Sequence, residues 1–338
     1  MPQSNLRFAP TPTPESREVR ATQGQPQENV DQVKAWARLV TLPVGVGETT
    51  ARSPLDSALV PSDDVPADSR PAYPPPRHAM SLLALESEQD LSGDVRGWMP
   101  VTRYTAAADG MPRLATVAML VDALGGLRSI TASDPEWAFT ADMSIHLLPA
   151  GPIEVLQADL HVRRRGRRTL VIEAELLADG ERPAGSALLT FAVVPRPEHL
   201  VNITIDMTPG RRMMTRNSEH EPLTTDYLDE LQLLVTEPGN ATIELHPAVC
   251  NTVGALHGAV HASLVDEASA SLARSLLGCD VVTTDMHLAY LELGRVGPLS
   301  ATATSVGGPS SDRVSTLVEI RDGNGMLVSY ATAEVSGQ

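Results

Sequence analysis

The sequence predicts an α+β protein made of two similar halves, each an antiparallel sheet wrapped around one long apolar helix. Two observations carry this expectation. A pair of helical runs shares the same Leu-Val-Asp, and further landmarks recur downstream at a nearly constant offset.

The first run is Leu114–Gly126 and the second Gly258–Ala273, and their aspartates, Asp122 and Asp266, stand 144 positions apart. Each run leads into a strand with Thr-x-Asp-Met, Thr140–Met143 and Thr283–Met286, offset 143. Gly151-Pro152 and Gly297-Pro298 follow at offset 146, and the turn signals Asp179-Gly180 and Asp322-Gly323 at offset 143. Four landmarks held within 143 to 146 residues indicate a tandem duplication. In the first half the strands are expected at 142–148, 153–163, 169–178 and 183–194, joined by short turns.

Domain boundaries follow from composition. Residues 1–75 form a polar, proline-dense leader, with one short helix expected at 29–42 and a stiff extended stretch ending in Tyr73–Pro76. The first domain is expected at 76–198, a connector carrying Arg211-Arg212 at 199–224, and the second domain at 225–338.

With 338 residues the chain can bury two cores, and with 3% aromatic content those cores must rest on Val, Leu, Ile, Ala and Met. A net charge of −16 disfavours nucleic acid as a partner. Two cysteines, Cys250 and Cys279, allow no disulfide framework or paired-cysteine metal site, which suits a reducing cytosol. No continuous apolar run approaches ~18 residues and no secretory pattern opens the chain, so the expectation is a cytoplasmic protein without membrane or metal.

The stretch Asn251-Thr-Val-Gly-Ala-Leu-His257-Gly258 followed by Asp266, nine residues after His257, resembles the phenylacetate-degradation-type hotdog thioesterases of the 4-hydroxybenzoyl-CoA thioesterase superfamily. The resemblance covers roughly Met80 to Ser336 as two copies, the second carrying the fuller motif. It implies two fused hotdog domains, hydrolysis of acyl-CoA to free acid and coenzyme A, and no cofactor beyond the coenzyme A of the substrate. It also implies a site between two copies, the Asn and Gly from one and the aspartate from the other. The catalytic set is then Asp122, Asp266, Asn251, Gly258, His257, Thr140 and Thr283.

These residue types suit that chemistry. A helix start presents amide groups without intrahelical partners, and the helix dipole favours a developing oxyanion there. A glycine such as Gly258 permits close approach. An aspartate two turns into an apolar helix needs a reason to be buried, and a general base or nucleophile is one. Asp122 or Asp266 on a wet helix face, His257 as a structural cap, and Thr140 or Thr283 as plain strand residues are the bland alternatives.

The copies differ where it matters. Opposite His257-Gly258 stand Arg113-Leu114, and opposite Asn251 stands Ala107. The expectation is one competent site, with Asn251, His257 and Gly258 facing Asp122 and Thr140, and a poorer mirror in which Asp266 and Thr283 face Ala107 and Leu114. Arg163, Arg164, Arg165, Arg167 and Arg168 cluster at a predicted turn and are candidates for the phosphates of coenzyme A, with a solubilising hairpin tip or a patch pairing with the protein's own excess acids as the alternatives. Three rival functions stay open. One is a non-catalytic acyl-CoA-binding or regulatory protein, another a hydratase or dehydratase on the same fold, for which His146 and His161 lack the expected context. The third is a scaffold acting through its proline-rich leader. The chain is expected to form a pseudo-dimer by itself and could assemble further as a homo-oligomer.

Overall fold

The computed structural model describes residues 73–75, 77–91, 93–196, 209–214, 223–308 and 310–338, all within the compact unit Ser53–Gln338. The helix expected at 29–42 and most of the leader lie outside them. The first half runs β1 (Glu86–Gln89), β2 (Val95–Pro100), α1 (Leu114–Ser133), β3 (Trp137–Leu147), β4 (Val155–Arg165), β5 (Thr169–Ala178) and β6 (Arg182–Val194). After β7 (Gly210–Met213) and a short α2 (Tyr227–Glu230), the second half repeats the order. It runs β8 (Leu234–Glu237), β9 (Asn240–Ile243), α3 (Gly258–Leu277), β10 (Val281–Tyr290), β11 (Leu299–Ser305), β12 (Arg313–Arg321) and β13 (Leu327–Gly337).

The strands form one antiparallel sheet in the order β7-β1-β2-β4-β5-β6-β3-β10-β13-β12-β11-β9-β8. The halves join edge to edge at β3 and β10, where Met286 pairs with Ile145 and Leu288 with Met143. These four are buried on the face that wraps the helices, while Ser144, His146 and His287 alternate outward. The sheet thus curves around α1 and α3, as expected for an α+β arrangement.

Helix α1 is buried on nearly all sides from Leu114 to Gly125, which explains its lack of a polar face. Its length and composition alone would allow it to cross a membrane, a property that counting continuous apolar runs does not detect; in the structure it is a core helix, mostly buried. Glycine at 97 in β2 is demanded by this packing. A Cβ there would lie 2.5 Å from Leu124 and 2.8 Å from the Glu86 carbonyl. Truncating a fully buried core residue such as Leu120 costs about 2–5 kcal/mol in comparable helices.

Three local expectations change. Strand β3 begins at Trp137 rather than 142, because a bulge between Thr140 and Asp142 breaks the alternation that marks a strand in the sequence. The connector is not all loop: Gly210–Met213 adds an edge strand to β1, with Arg211 paired to Glu86 and its guanidinium 4.1 Å from the Trp98 ring. The two Asp-Gly pairs are not equivalent turns. Asp179 and Gly180 are both left-handed (φ 52° and 79°) in a tight hairpin. Asp322 instead organises a wider loop by accepting the Asn324 and Met326 amides, each at 2.9 Å.

Candidate active site

Each long helix grows from the same kind of loop. The Ala107 amide donates to Met111 O and the Asn251 amide to Ala255 O, both at 2.7 Å; Arg113 closes the first loop onto Thr105 O and His257 the second onto Val249 O, both at 2.9 Å. The loops then deliver the first turn of each helix against the middle of the other. The Ala259 amide donates to Asp122 Oδ2 at 3.1 Å, and the Ala115 amide donates to Asp266 Oδ2 at 2.9 Å. The helices lie side by side and antiparallel, and two related sites result.

The Asp122 site is the more elaborate. Asp122, only 6% exposed, also accepts a 2.8 Å hydrogen bond from Thr140 Oγ1. The bulge after Thr140 aims that hydroxyl at the helix. Burial pushes the Asp122 carboxyl up to about 6, against the pull of the Thr140 and Ala259 hydrogen bonds. Glycine at 258 is required by the carboxylate itself: a Cβ there would stand 2.7 Å from Asp122 Oδ2. The Gly258 carbonyl accepts from the Tyr290 hydroxyl at 2.9 Å. Among the described residues no acceptor takes the Gly258 amide, which leaves a first-turn donor beside the carboxylate.

His257 is the N-cap of α3. Its Nδ1 accepts the Ala259 amide at 3.2 Å and lies 3.4 Å from Asp122 Oδ2. Burial pulls the imidazole down to about 4, so it is neutral near pH 7 and acts as a cap. Asn251 does not face the carboxylate with its oxygen. Its Oδ1 accepts the Val253 and Ala255 amides at 3.0 and 3.1 Å, which shapes the loop that carries His257 and Gly258.

Two residues the sequence reading overlooked roof this site. His78, a buried side chain, hydrogen-bonds through Nε2 to the Cys250 carbonyl at 3.0 Å and packs edge-on against His257. Tyr73 hydrogen-bonds to His78 at 3.3 Å, and burial together with the nearby Asp122 charge raises its pKa. Tyr73 stands out only as the start of the Tyr73–Pro76 stretch, and nothing in the local sequence marks His78. Tyr290 could have been found, since Met286, Leu288 and Tyr290 alternate onto the inward face of β10.

At the second site Leu114 replaces glycine and Arg113 replaces histidine. Arg113 is held by Asp226 at 3.2 Å and Glu267 at 3.4 Å. Asp266 is 3% exposed; burial raises its pKa, with Arg113 the strongest opposing influence. Thr283 lies alongside, and its buried hydroxyl favours the ionised Asp266. A cavity of about 530 Å³ opens here, lined among others by Ala107, Leu114, Asp266 and Thr283. Both aspartates are therefore buried rather than on a wet helix face.

The arginine cluster divides. Arg163 pairs with Glu173, and Arg165 with Glu136 at 2.6 Å and the Ala132 carbonyl at 3.1 Å. Arg164, Arg167 and Arg168 are exposed and have no partner among the described residues. Arg165 ties this tip to the end of α1 and the start of β3. There Trp137 packs against Val253 and Ala255 of the loop that carries the Asp122 site. His146 and His287 lie elsewhere. They pair with Asp285 and Asp142, each at 2.6 Å, on the outer face of the β3–β10 seam. His161 is near Asp94 at 3.7 Å.

Comparison with known proteins agrees with this architecture. Residues 253–329 match the family model of the Thioesterase superfamily. No curated protein matches the chain by sequence. Among solved structures, the 12:0-ACP thioesterase from Umbellularia californica aligns with a TM-score of 0.50 at 10% identity, covering 72% of this chain and 94% of that one. An acyl-ACP thioesterase from Bacteroides thetaiotaomicron aligns at 0.47 and 12%, covering 71% and 96%. Acyl-CoA thioesterase II TesB2 from Mycobacterium marinum aligns at 0.46 and 17%, covering 77% and 96%. At such identities the likeness is one of fold. The chain has an α+β hotdog fold, and residues 253–329 of its second half are similar to the thioesterase superfamily.

Proposed function

We propose that the protein hydrolyses acyl thioesters, with acyl-CoA as the substrate class, at the Asp122 site between its two halves. One observation carries the reading. A buried carboxylate from α1 is held against the first-turn amides of α3, so a base and an oxyanion donor converge on one point.

Ionised Asp122 takes a proton from a water molecule as its oxygen attacks the thioester carbonyl. The new oxyanion is met by the Gly258 amide and the positive end of the α3 dipole. Collapse expels the thiolate, which takes the proton back from Asp122. Thr140 holds the carboxylate in the attacking orientation, and His257 and Asn251 keep the helix start in place. A carboxyl titrating near 6 is ionised at neutral pH and still basic enough for this exchange.

The mirror site lacks the same machinery. Leu114 brings a Cβ to the helix start, and Arg113 is engaged by two carboxylates. The exposed Arg164, Arg167 and Arg168 supply the positive charge an acyl-CoA needs, on the side of the Asp122 loop. The asymmetry supports one working site of the phenylacetate-degradation type per chain. Thiol release from a graded series of acyl-CoA substrates, compared between the native chain and Asp122→Asn, tests the proposal. No release from any substrate, with acyl-CoA binding intact, would instead favour a sensor.

A further inference from the structure

Tyr73 carries a proton that the protein around it does not use. The hydrogen bonds of His78 show why. The Met80 amide donates to His78 Nδ1 at 3.3 Å, so that nitrogen is the acceptor of a neutral ring. His78 Nε2 lies 3.0 Å from the Cys250 carbonyl, which can only accept, so Nε2 carries the hydrogen. Burial pulls the His78 pKa down to about 3, which keeps the ring in this form near pH 7. The Tyr73 hydroxyl, 3.3 Å from the same Nε2, therefore accepts a share of that N–H and cannot donate to it. Among the described residues no acceptor takes the phenolic proton.

Other hydroxyls at the site are spent. Thr140 donates to Asp122 at 2.8 Å and Tyr290 to the Gly258 carbonyl at 2.9 Å. Tyr73 packs edge-on against His78, with ring centres 5.2 Å apart, and His78 against His257 at 5.7 Å. His257 opens α3 and lies 3.4 Å from Asp122. Burial and then the Asp122 charge raise the Tyr73 pKa, so the phenol stays protonated and stands within the field of that carboxylate. The second site uses the same frame with other contents. The Ala79 amide donates to Ala248 O at 2.8 Å and the Tyr227 amide to Tyr104 O at 3.0 Å, so Asp226 stands where His78 stands. A neutral histidine and a phenol roof one site, and the Asp226–Arg113 ion pair the other.

On the hydrolytic reading of the Asp122 site, on which this rests, we propose that Tyr73 is a further catalytic residue, its hydroxyl donating a hydrogen bond to the thioester oxygen alongside the Gly258 amide. As water attacks and Asp122 takes its proton, the carbonyl π pair moves onto that oxygen, and the Tyr73 O–H and Gly258 N–H close on the new charge. When the C=O bond re-forms, the C–S bond breaks and the thiolate takes the proton from Asp122. Tyr73 keeps its own proton throughout. A donor fixed before the reaction acts most strongly where charge develops.

The test compares the full chain with Tyr73→Phe, which removes one oxygen and leaves the ring on His78. With an acyl-CoA, kcat should fall at least ~10-fold and KM stay within about threefold, as for an interaction made in the transition state. The infrared carbonyl stretch of a bound ketone analogue, acyl-CoA with CH2 in place of sulfur, should lie at lower frequency in the native chain than in Tyr73→Phe. A roof that only packs would not move it. An unchanged kcat, or the same stretch in both proteins, overturns the proposal. A stretch that depends on Tyr73 in a chain without turnover would uphold the hydrogen bond and refute the hydrolytic reading instead; no binding of the ketone by the native chain would overturn both.

Discussion

Asp122 Oδ2 lies 3.1 Å from the amide nitrogen of Ala259, a residue 137 positions further along the chain. This hydrogen bond ties the middle of one helix to the start of the other, and in the proposed reaction it marks where a thioester carbonyl would meet both a base and a helix N-terminus.

Burying that carboxylate weakens the fold. The folded-state pKa, about 6 against 3.8 for a free aspartate, means the folded protein holds the proton more tightly than the unfolded chain. The contribution of Asp122 to stability is therefore most favourable below pH 3.8, falls as pH rises from 3.8 to 6 and levels off above, a loss on the order of 3 kcal/mol at neutral pH. Asp122→Asn should gain up to about that amount over the native chain at pH 7.5, and the gain should vanish near pH 4. Urea unfolding at the two pH values checks this.

Thr140 lowers the Asp122 pKa by donating to its charged form. In Thr140→Val the acid limb of the kcat/KM profile, expected near pH 6 in the native enzyme, should move upward. A limb that stays put would show that the hydroxyl is only a strand residue.

Gly258→Ala introduces a Cβ 2.7 Å from the Asp122 carboxylate, and one of the two must shift. Activity should drop at least ~30-fold, about 2 kcal/mol in the barrier, while unfolding changes far less. The mirror change Leu114→Gly should leave hydrolysis near its native rate.

Arg164, Arg167 and Arg168 changed together to serine should raise KM for acyl-CoA about tenfold and increasingly so at low salt. Acyl-pantetheine, which lacks the nucleotide phosphates, should react as before. Equal losses with both substrates would return the cluster to a surface role.

Much of the architecture was legible in the sequence. Repeated Leu-Val-Asp and Thr-x-Asp-Met marked two helices and the strands beside them, because both depend on local periodicity. The partnership of Asp122 with the far helix start was also legible, through the resemblance and the spacing of the two copies. The rest depended on long-range packing. Asn251 looked free to face substrate, but its carboxamide oxygen is taken up by its own loop. Gly258 was expected to make room for substrate, and the closest body is Asp122 itself. Tyr73 and His78 reach the site only because the chain folds back over it, and the cavity at Asp266 is formed by elements remote in sequence.

One measurement bears most directly on the account: steady-state thiol release by Asp122→Asn and Asp266→Asn, side by side on one acyl-CoA. The account predicts a loss of at least ~1,000-fold for Asp122→Asn, about 4 kcal/mol, and a rate within threefold of native for Asp266→Asn. Retained activity in Asp122→Asn, or collapse in Asp266→Asn, would contradict it.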